Sequence, residues 1–277
     1  MPSTNWICWN CGLQHGEDSA VPKRCLNCSD ERESMTHKPP RWTTLAEMQG
    51  HYRNVFTPLG EGVTGICTTP AFGIGPEVFL IQTSAGNVLW DCFAYLDKTT
   101  VQQVKEFGGL DAIVISHPHM FGSVVEWSQS LGCVPVFVHE DNQPWMPRPD
   151  PVIHWWQGES FAINSALNAI RCGGHFPGSS VLHWPEGAGG KGALFTGDGI
   201  LPVEDRRWVS FMHSYPNLIP ISRSAVERIV NAISPLTFDR IYGGPMYGSG
   251  GGRPIIATGA KEVVLRSAKR YIEHLES

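Results

Sequence analysis

Segments of four to seven residues that are rich in apolar side chains, separated by turn residues, predict a series of strands from Val63 onward. The first three lie at 63–68, 78–82 and 87–92, with Ala85 and Gly86 forming a turn between the last two. Further runs of this kind predict strands at 110–116, 134–139, 167–171, 181–184, 193–196 and 208–212, and the segment FDRIYGG also has strand character.

Helical spacing of apolar residues appears between these runs. Helices are predicted at 100–107 and 123–130, and two clearer amphipathic patterns follow near the C-terminus. Ser224 and Glu227 have the spacing of a capping box ahead of one pattern, and Val264, Ala268 and Tyr271 belong to the other. Two successive series of strands and helices predict a layered α/β fold.

The pattern is different before residue 60. Residues 6–28 contain paired cysteines and few apolar side chains, so this segment cannot fold by burial alone. Residues 29–60 are polar, with one short helix predicted to begin at Thr43 or Thr44. We therefore predict a four-cysteine domain at 1–35, a linker at 36–60 and a main domain at 61–277.

Composition and charge exclude several classes of protein. The 277 residues are 42% hydrophobic and 17% charged, with 30 Gly and 21 Pro, which is typical of a compact, loop-rich globular protein. A net charge of -5 provides no basic surface for nucleic acid. The apolar runs are too short to cross a bilayer, and the first ten residues do not resemble a secretory signal. We expect a cytoplasmic protein without a nucleic-acid or membrane partner.

Four of the eight cysteines form two C-x-x-C pairs, Cys8 with Cys11 and Cys25 with Cys28. Four thiolates at this spacing can surround one ion tetrahedrally. Nothing in the sequence indicates an exported protein, so disulfide bonds are the weaker interpretation. The segment resembles zinc ribbons, Ran-binding-protein-type zinc fingers and rubredoxins. The knuckles CWNCG and CLNCS lack the proline of rubredoxin, so we predict Zn²⁺ rather than iron. A structural, electron-transferring or interactive role stays open, as does a homo-oligomer or a protein partner bound through this domain.

Three other segments carry metal-ligating side chains. His117 and His119 follow a predicted strand in ISHPHMFGSVVEW, His175 lies in the glycine-rich CGGHFPGSSVLHW, and Asp198 follows a strand in ALFTGDGI. Imidazole nitrogens and a carboxylate are common ligands of Zn²⁺ and Fe²⁺. Since strand ends are where α/β enzymes place their chemistry, the three segments predict one metal site.

The order H-x-H, G-H-x-P-G-S and T-G-D, with NVLWDC upstream, resembles the metallo-β-lactamase superfamily over residues 63–277. The resemblance implies a four-layer αββα sandwich. It also implies that His117, His119 and His175 bind the first metal ion and that Asp198 is the bridging carboxylate. Asp91 matches an aspartate that supports the metal-binding loop without touching the ion.

The chain departs from that family where the ligands of a second ion belong. The family pattern is H-x-H-x-D-H, but Phe121 and Gly122 occupy the last two positions, and no late histidine appears at 243–246. The resemblance therefore implies a single Zn²⁺ or Fe²⁺ at this site. The same departures resemble a little-characterised branch of the superfamily, which implies no particular substrate.

These residues predict a mononuclear metal-dependent hydrolase that cleaves an ester, thioester or lactone-like bond of a small substrate, with aromatic substrates included, through a metal-bound hydroxide. His175 and Asp198 are the predicted catalytic residues, with Asp198 as ligand or base. One alternative is a mononuclear iron oxidoreductase or dioxygenase with the four-cysteine domain as an electron relay. Another is a non-catalytic binding module in which the zinc finger recruits a partner.

A substrate pocket is predicted from the segment EDRRWVSFMHSYPNLIP. Its polar and aromatic side chains could contact a carboxylate or a flat group, although a strand that packs its aromatic residues inward would have the same pattern. The candidate substrate-binding residues are Arg206, Trp208, His213 and Tyr215. Glycines at 248–252 predict a flexible loop. The histidines 139, 154 and 183 are assigned structural or surface roles, and such a role is the alternative for His213.

Overall fold

The computed structural model describes residues 4–18, 20–33, 40–243 and 255–276 as a mixed α/β protein with several sheets. The chain divides into two compact units. The first consists of the described residues up to Val138 and of Gln143–Trp155. The second consists of His139–Asn142 and of the described residues from Trp156 onward. The glycines at 248–252 and most of the segment that lacks the late histidine, 244–246, lie outside the described residues.

A small antiparallel sheet forms the start of the first unit, in the order β2-β1-β3. Its strands are β1 (Thr4–Cys8), β2 (Gln14–Asp18) and β3 (Trp42–Thr43). The short helix α1 (Leu45–Met48) follows, with Thr44 as its N-cap in a complete capping box. The described part of the predicted linker, from residue 40 to 60, therefore contains a strand that pairs with the cysteine segment, a helix and a strand of the next sheet.

A seven-stranded sheet is the main element of the first unit, in the order β10-β9-β8-β7-β6-β5-β4. Strands β4 to β7 are antiparallel, whereas β7, β8 and β9 run parallel. The strands are β4 (Arg53–Gly60), β5 (Val63–Thr69), β6 (Glu77–Thr83), β7 (Gly86–Trp90), β8 (Ala112–Ile115), β9 (Val136–His139) and β10 (Ile153–Trp156).

The parallel strands β7 and β8 end at the same edge of this sheet, so the residues that follow them come close together. Asp91 follows β7, and Ser116 and His117 follow β8. Helices α2 (Lys98–Glu106) and α3 (Val124–Ser130) belong to the same unit. Its apolar core joins strand and helix residues with the cysteine segment, and includes Cys11, Leu13, Leu89, Ile113 and Trp127.

The second unit is built on a six-stranded sheet in the order β11-β12-β13-β14-β19-β20, with two small two-stranded ribbons. The strands are β11 (Ser160–Ala162), β12 (Asn168–Arg171), β13 (Ser180–Trp184), β14 (Ala193–Phe195), β15 (Leu201–Pro202), β16 (Val209–Ser210), β17 (Met212–Ser214), β18 (Ile219–Pro220), β19 (Arg240–Tyr242) and β20 (Ile255–Ile256). Only β14 and β19 pair in parallel among these strands.

The second unit has a single helical turn, α4 (Gly187–Gly190), and two longer helices, α5 (Arg223–Ile233) and α6 (Ala260–Glu276). Apolar residues of α5 and α6 belong to the core of this unit. The N-cap of α5 is Ser222, whose side chain accepts from the backbone N–H of Ala225, so the predicted capping box at Ser224 is wrong. In a run of three residues with two serines, the pattern cannot show which hydroxyl lies just before the first helical turn.

The predicted strand at 208–212 is also different in the structure. The chain forms β16 and then β17, with the fully buried Phe211 between them, because the two short strands pair with β15 and β18 respectively. In the part of the chain that the structure describes, no helix combines the length and apolarity that a membrane crossing requires.

Candidate metal centres

The four-cysteine segment brings its sulfur atoms together. Cys8 ends β1 and Cys11 lies in the turn after it, where the Gly12 N–H donates to the Cys8 carbonyl. The second pair has the same kind of turn, with the backbone N–H of Ser29 donating to the Cys25 carbonyl. The Sγ atoms of Cys8 and Cys28 are 3.7 Å apart, those of Cys11 and Cys25 are 3.5 Å apart, and all four lie within 4.8 Å of one another.

These distances fit a tetrahedral thiolate site. Four sulfur atoms at 2.3 Å from a central zinc ion would be about 3.8 Å apart, whereas a disulfide bond is about 2.0 Å long. The cysteines are free thiols in the structure, which does not support the disulfide interpretation. Hydrogen bonds from the neighbouring thiols, Cys11 first, lower the pKa of Cys8, and Asn10 Nδ2 donates to Cys28 Sγ at 3.2 Å. The cluster is a candidate metal-binding site.

A second candidate metal-binding site consists of His117, His119, His175 and Asp198. Each of the four residues offers one ligand atom, and these atoms all lie within 4.8 Å of one another. The side chains are buried, with Asp198 the most exposed of them at 8%. The set that the sequence predicted to converge from three segments is therefore brought together.

His117 and His119 lie on the loop that follows β8. Their rings are 5.3 Å apart between centroids and inclined by 73°. The Ser116 hydroxyl lies 2.8 Å from His117 Nδ1 and donates to Asp91 Oδ2 at 2.9 Å, while the Ser116 backbone N–H donates to Asp91 Oδ1 at 2.7 Å. Because the hydroxyl proton is directed at Asp91, the hydroxyl oxygen accepts a hydrogen bond from the Nδ1–H of His117. The lone pair of His117 is then on Nε2.

His175 has the same tautomer for a different reason. Its Nδ1 lies 3.1 Å from the Met212 carbonyl oxygen, and a carbonyl can only accept, so Nδ1 carries the proton. Its Nε2 lies 4.0 Å from Asp198 Oδ2. Metal-bound histidines ordinarily donate their other ring N–H to a carbonyl or a carboxylate. Three imidazoles and one carboxylate, with two ring tautomers held in this way, suit Zn²⁺ or Fe²⁺.

Phe121 and Gly122, at the positions where the resembling family has ligands of a second ion, are built into the fold. Phe121 is 1% exposed and belongs to the apolar core of the first unit. Gly122 has a φ of 50°, and a Cβ atom there would lie 2.4 Å from the carbonyl carbon of Phe93. A histidine at 122 would therefore displace the backbone of its neighbour.

The four candidate substrate-binding residues have different surroundings. Tyr215 contacts two residues of the candidate metal site: its hydroxyl donates to the Asp198 carbonyl at 2.9 Å, and its ring centroid is 6.0 Å from that of His175. Burial raises the pKa of Tyr215 well above its usual value, so the hydroxyl keeps its proton. Trp208 packs against the guanidinium groups of Arg266 and Arg270 in α6. Arg206 is exposed and His213 is half-buried. The pocket itself stays a prediction.

The histidines assigned structural roles have hydrogen-bonded or exposed positions. His139 Nε2 lies 3.1 Å from the Gly158 carbonyl, His183 Nε2 lies 2.8 Å from the Thr237 carbonyl, and His154 is exposed on β10. Two groups that contact the ligands escaped the sequence analysis. The adjacency of Ser116 to His117 is a sequence signal for the serine, whereas no sequence signal points to a carbonyl such as that of Met212.

No family model matches the chain. The chain is 43% identical over 274 residues to a Bacillus subtilis (strain 168) protein whose name is "Uncharacterized protein YmaE", and the match covers 98% of this chain and 97% of YmaE.

Solved structures show the fold. The metallo-β-lactamase FIM-1 from Pseudomonas aeruginosa, in its mono-zinc form, matches with a TM-score of 0.55 and 17% identity over 78% of this chain and 95% of that one. A metallo-β-lactamase from Pontibacter korlensis matches with a TM-score of 0.53 and 15% identity over 79% and 99%. The predicted α/β fold class is confirmed. The chain thus belongs to one family with YmaE of Bacillus subtilis, and its fold is that of the metallo-β-lactamases.

Proposed function

We propose that this protein is a mononuclear metal-dependent hydrolase that cleaves an ester, thioester or lactone-like bond of a small substrate. The observation that carries the proposal is the set of His117, His119, His175 and Asp198, whose ligand atoms lie within 4.8 Å of one another. The structural neighbours are metallo-β-lactamase superfamily enzymes, which supports metal-dependent hydrolysis at the level of the superfamily.

A single ion, rather than a pair, follows from the residues at 121 and 122. The buried ring of Phe121 and the crowded backbone at Gly122 supply no ligand atoms for a second ion. One of the neighbours with this fold, FIM-1, has been solved in a mono-zinc form, so the fold itself tolerates one zinc ion.

A divalent ion in this site supplies Lewis acidity toward a carbonyl oxygen and toward the oxygen nucleophile that attacks it. The chain's own residues orient the ligands. The Met212 carbonyl holds the His175 ring, and Ser116 with Asp91 holds the His117 ring. Asp198 Oδ2, 4.0 Å from His175 Nε2, serves as a ligand or as the base that accepts a proton from the nucleophile.

Tyr215 supports this assignment of Asp198. Its hydroxyl donates to the Asp198 carbonyl oxygen and holds the backbone of the catalytic loop, so the carboxylate keeps one position as its charge changes. As part of the proposal we place Arg206 and His213 at the substrate side of the same segment, whereas Trp208, which packs against Arg266 and Arg270, is assigned a role in stability. The four cysteines would hold a Zn²⁺ ion in a closed tetrahedral site, which stabilises the fold and has no open position for chemistry.

Metal analysis combined with a substrate screen tests the proposal. Protein purified without oxygen is analysed for metal per chain and assayed with thioesters, lactones and persulfides. We expect one ion at the cysteines, one zinc ion at the histidines, and hydrolysis that falls by roughly a hundredfold or more in His175→Ala together with the loss of one ion. His154→Ala is the matched control, since His154 is exposed on β10 and should keep both ions and full activity.

Two results would contradict the proposal. Hydrolysis that survives in His175→Ala would place the chemistry elsewhere. Iron at the histidine site, with oxygen consumption on persulfides instead of hydrolysis, would identify the oxidoreductase alternative.

A further inference from the structure

The second cysteine pair contacts the loop that carries His117 and His119. Asn27 lies between Cys25 and Cys28 and is 1% exposed. Its Nδ2 donates to the carbonyl oxygen of Pro118 at 3.2 Å, in a buried hydrogen bond between residues 91 positions apart in sequence. Pro118 is the residue between the two histidines, so this amide is bonded to the backbone that sets their spacing.

The first cysteine pair contacts the same loop at its other end. The backbone N–H of Gln14, three residues after Cys11, donates to the Gly122 carbonyl at 3.0 Å. Gln14 is 3% exposed, so this contact is also buried. Each cysteine pair therefore holds one end of the segment from 118 to 122, which we call the histidine loop.

Two further hydrogen bonds at and next to the histidine loop involve the chain after β7. The Cys92 N–H donates to the Met120 carbonyl at 3.2 Å, and the Ser123 hydroxyl donates to the Ala94 carbonyl at 2.7 Å. The first bond holds the middle of the loop, and the second holds the residue that directly follows it. The Pro118 carbonyl accepts two hydrogen bonds. One comes from the Phe121 N–H within the loop, at 3.3 Å, and the other comes from Asn27 outside the loop.

Asn27 keeps its position only while the cysteine segment is ordered. That segment has few apolar side chains of its own, and small domains of this kind gain their folding free energy from the bound metal. The turn that carries Asn27 is closed by the Ser29 N–H and hydroxyl, both of which donate to the Cys25 carbonyl, at 3.0 and 2.7 Å. An ion bound by Cys25 and Cys28 fixes the two ends of the same turn.

From these contacts we infer that the four-cysteine segment positions the histidine loop, and that Asn27 is the positioning residue through which a filled cysteine site raises metal affinity at His117 and His119. The inference rests on the proposed function, because it requires an ion at the histidines. It assigns the cysteine site a role toward the second site, beyond the stability of its own segment.

Cobalt titration tests the inference. Wild type and variants are loaded with one zinc ion per chain, which the four thiolates bind first, and Co²⁺ is then titrated while the visible bands of imidazole-bound cobalt are recorded. In Asn27→Asp the donor becomes an acceptor of the same size facing the Pro118 carbonyl. We expect Co²⁺ affinity at the histidine site to fall roughly tenfold, the effect of losing one buried hydrogen bond.

The matched control is Asn10→Ala. Asn10 also contacts the cysteine site, through its bond to Cys28 Sγ, but it lies in the turn of the first cysteine pair and not in the turn that carries Asn27. We expect this variant to keep wild-type Co²⁺ affinity at the histidines. In both variants, protein loaded with cobalt alone should show the thiolate-to-cobalt charge-transfer bands of an intact four-cysteine site, which separates positioning from general loss of structure.

Wild-type affinity in Asn27→Asp, or an equal loss in Asn10→Ala, would overturn the inference. If Asn27→Asp does not fold, Cys28→Ser serves instead, because it weakens the ion of the cysteine site at its half-exposed ligand, and unchanged affinity at the histidines would likewise overturn the inference. A wild type that shows thiolate bands and no imidazole bands would instead contradict the proposed function.

Discussion

The hydroxyl oxygen of Ser116 lies 2.8 Å from Nδ1 of His117 and links that ring to the buried carboxylate of Asp91 by hydrogen bonds. Asp91 accepts from Ser116 twice, through the hydroxyl and through the backbone N–H. The carboxylate makes the hydroxyl oxygen a better acceptor for the His117 proton, which holds the ring in the tautomer with a lone pair on Nε2. Asp91 therefore acts on a candidate ligand through an intermediate residue.

Replacing Ser116 by alanine should weaken metal binding at the histidine site. The ring of His117 loses its acceptor, and partners of this kind typically contribute 10- to 100-fold in metal affinity, so we expect a decrease of about tenfold. Competition with a chelator of known affinity measures it. Ser128→Ala is a suitable control, because Ser128 is equally buried and bonds to the Val134 carbonyl away from the ligands. Equal affinities in the two variants would show that the Ser116 contact is inert.

The resemblance implied that Asp91 supports the metal-binding loop, and the structure shows this aspartate bonded to Ser116 beside His117. The resemblance could identify this aspartate because it lies in a short local motif, NVLWDC, at the end of a strand. The serine contact depends on the register of β7 against β8, where Trp90 is paired with Val114, and single-sequence patterns do not contain that register.

Introducing the second-ion ligands of the metallo-β-lactamase pattern should not create a second metal site. In Phe121→Asp/Gly122→His the carboxylate would replace a buried ring of the core, and the histidine Cβ would lie 2.4 Å from the backbone of Phe93. Loss of a core phenylalanine alone costs about 3 kcal/mol or more. We expect unchanged metal stoichiometry and a melting temperature at least several degrees lower. An additional ion per chain with wild-type stability would contradict this account of the missing half-site.

Tyr215 and Trp208 belong to the same predicted pocket segment, but they should respond differently to substitution. In Tyr215→Phe the Asp198 carbonyl loses a buried donor at 2.9 Å, which costs about 1–3 kcal/mol when an acceptor is left unsatisfied. We expect a lower kcat with little change in KM, because the loop that carries Asp198, the proposed catalytic carboxylate, moves.

Trp208→Ala removes the packing of that ring against Arg266 and Arg270 and should lower thermal stability while kcat stays near wild type. Steady-state kinetics and thermal melts on both variants distinguish a role in catalysis from a role in stability. A larger kcat loss in Trp208→Ala than in Tyr215→Phe would place Trp208 in the active site and the Tyr215 contact outside it.

This contrast shows where the sequence stops being informative. Both residues are aromatic and lie within eight positions of each other, and their pattern fits a pocket wall or an inward-packed strand. The choice depends on which partner each ring meets after the chain turns at Phe211, between β16 and β17. Those partners, Asp198 and α6, are distant in sequence. The residues of the candidate metal site could be predicted to lie together because they occupy three short motifs, one of which contains both His117 and His119.

The stability of the fold should decline below neutral pH through His183. Burial lowers the pKa of this histidine below its ordinary value near 6.5, and its Nε2–H donates to the Thr237 carbonyl at 2.8 Å. The unfolded chain therefore binds the proton more readily than the folded one. Stability from the neutral ring is complete above the unfolded pKa and is lost as the pH falls through 6.5 toward the folded pKa.

Replacing His183 by glutamine keeps a donor for the Thr237 carbonyl and removes the titrating group. We expect the melting temperature of wild type to fall more between pH 7.5 and pH 5.5 than that of His183→Gln. Measurements with a fixed excess of zinc limit the separate effect of acid on the metal ligands, and His154→Gln, at an exposed histidine, should behave as wild type. If wild type and His183→Gln lose stability in parallel, acid sensitivity arises elsewhere, with the buried His139, whose pKa burial also lowers, as the next residue to replace.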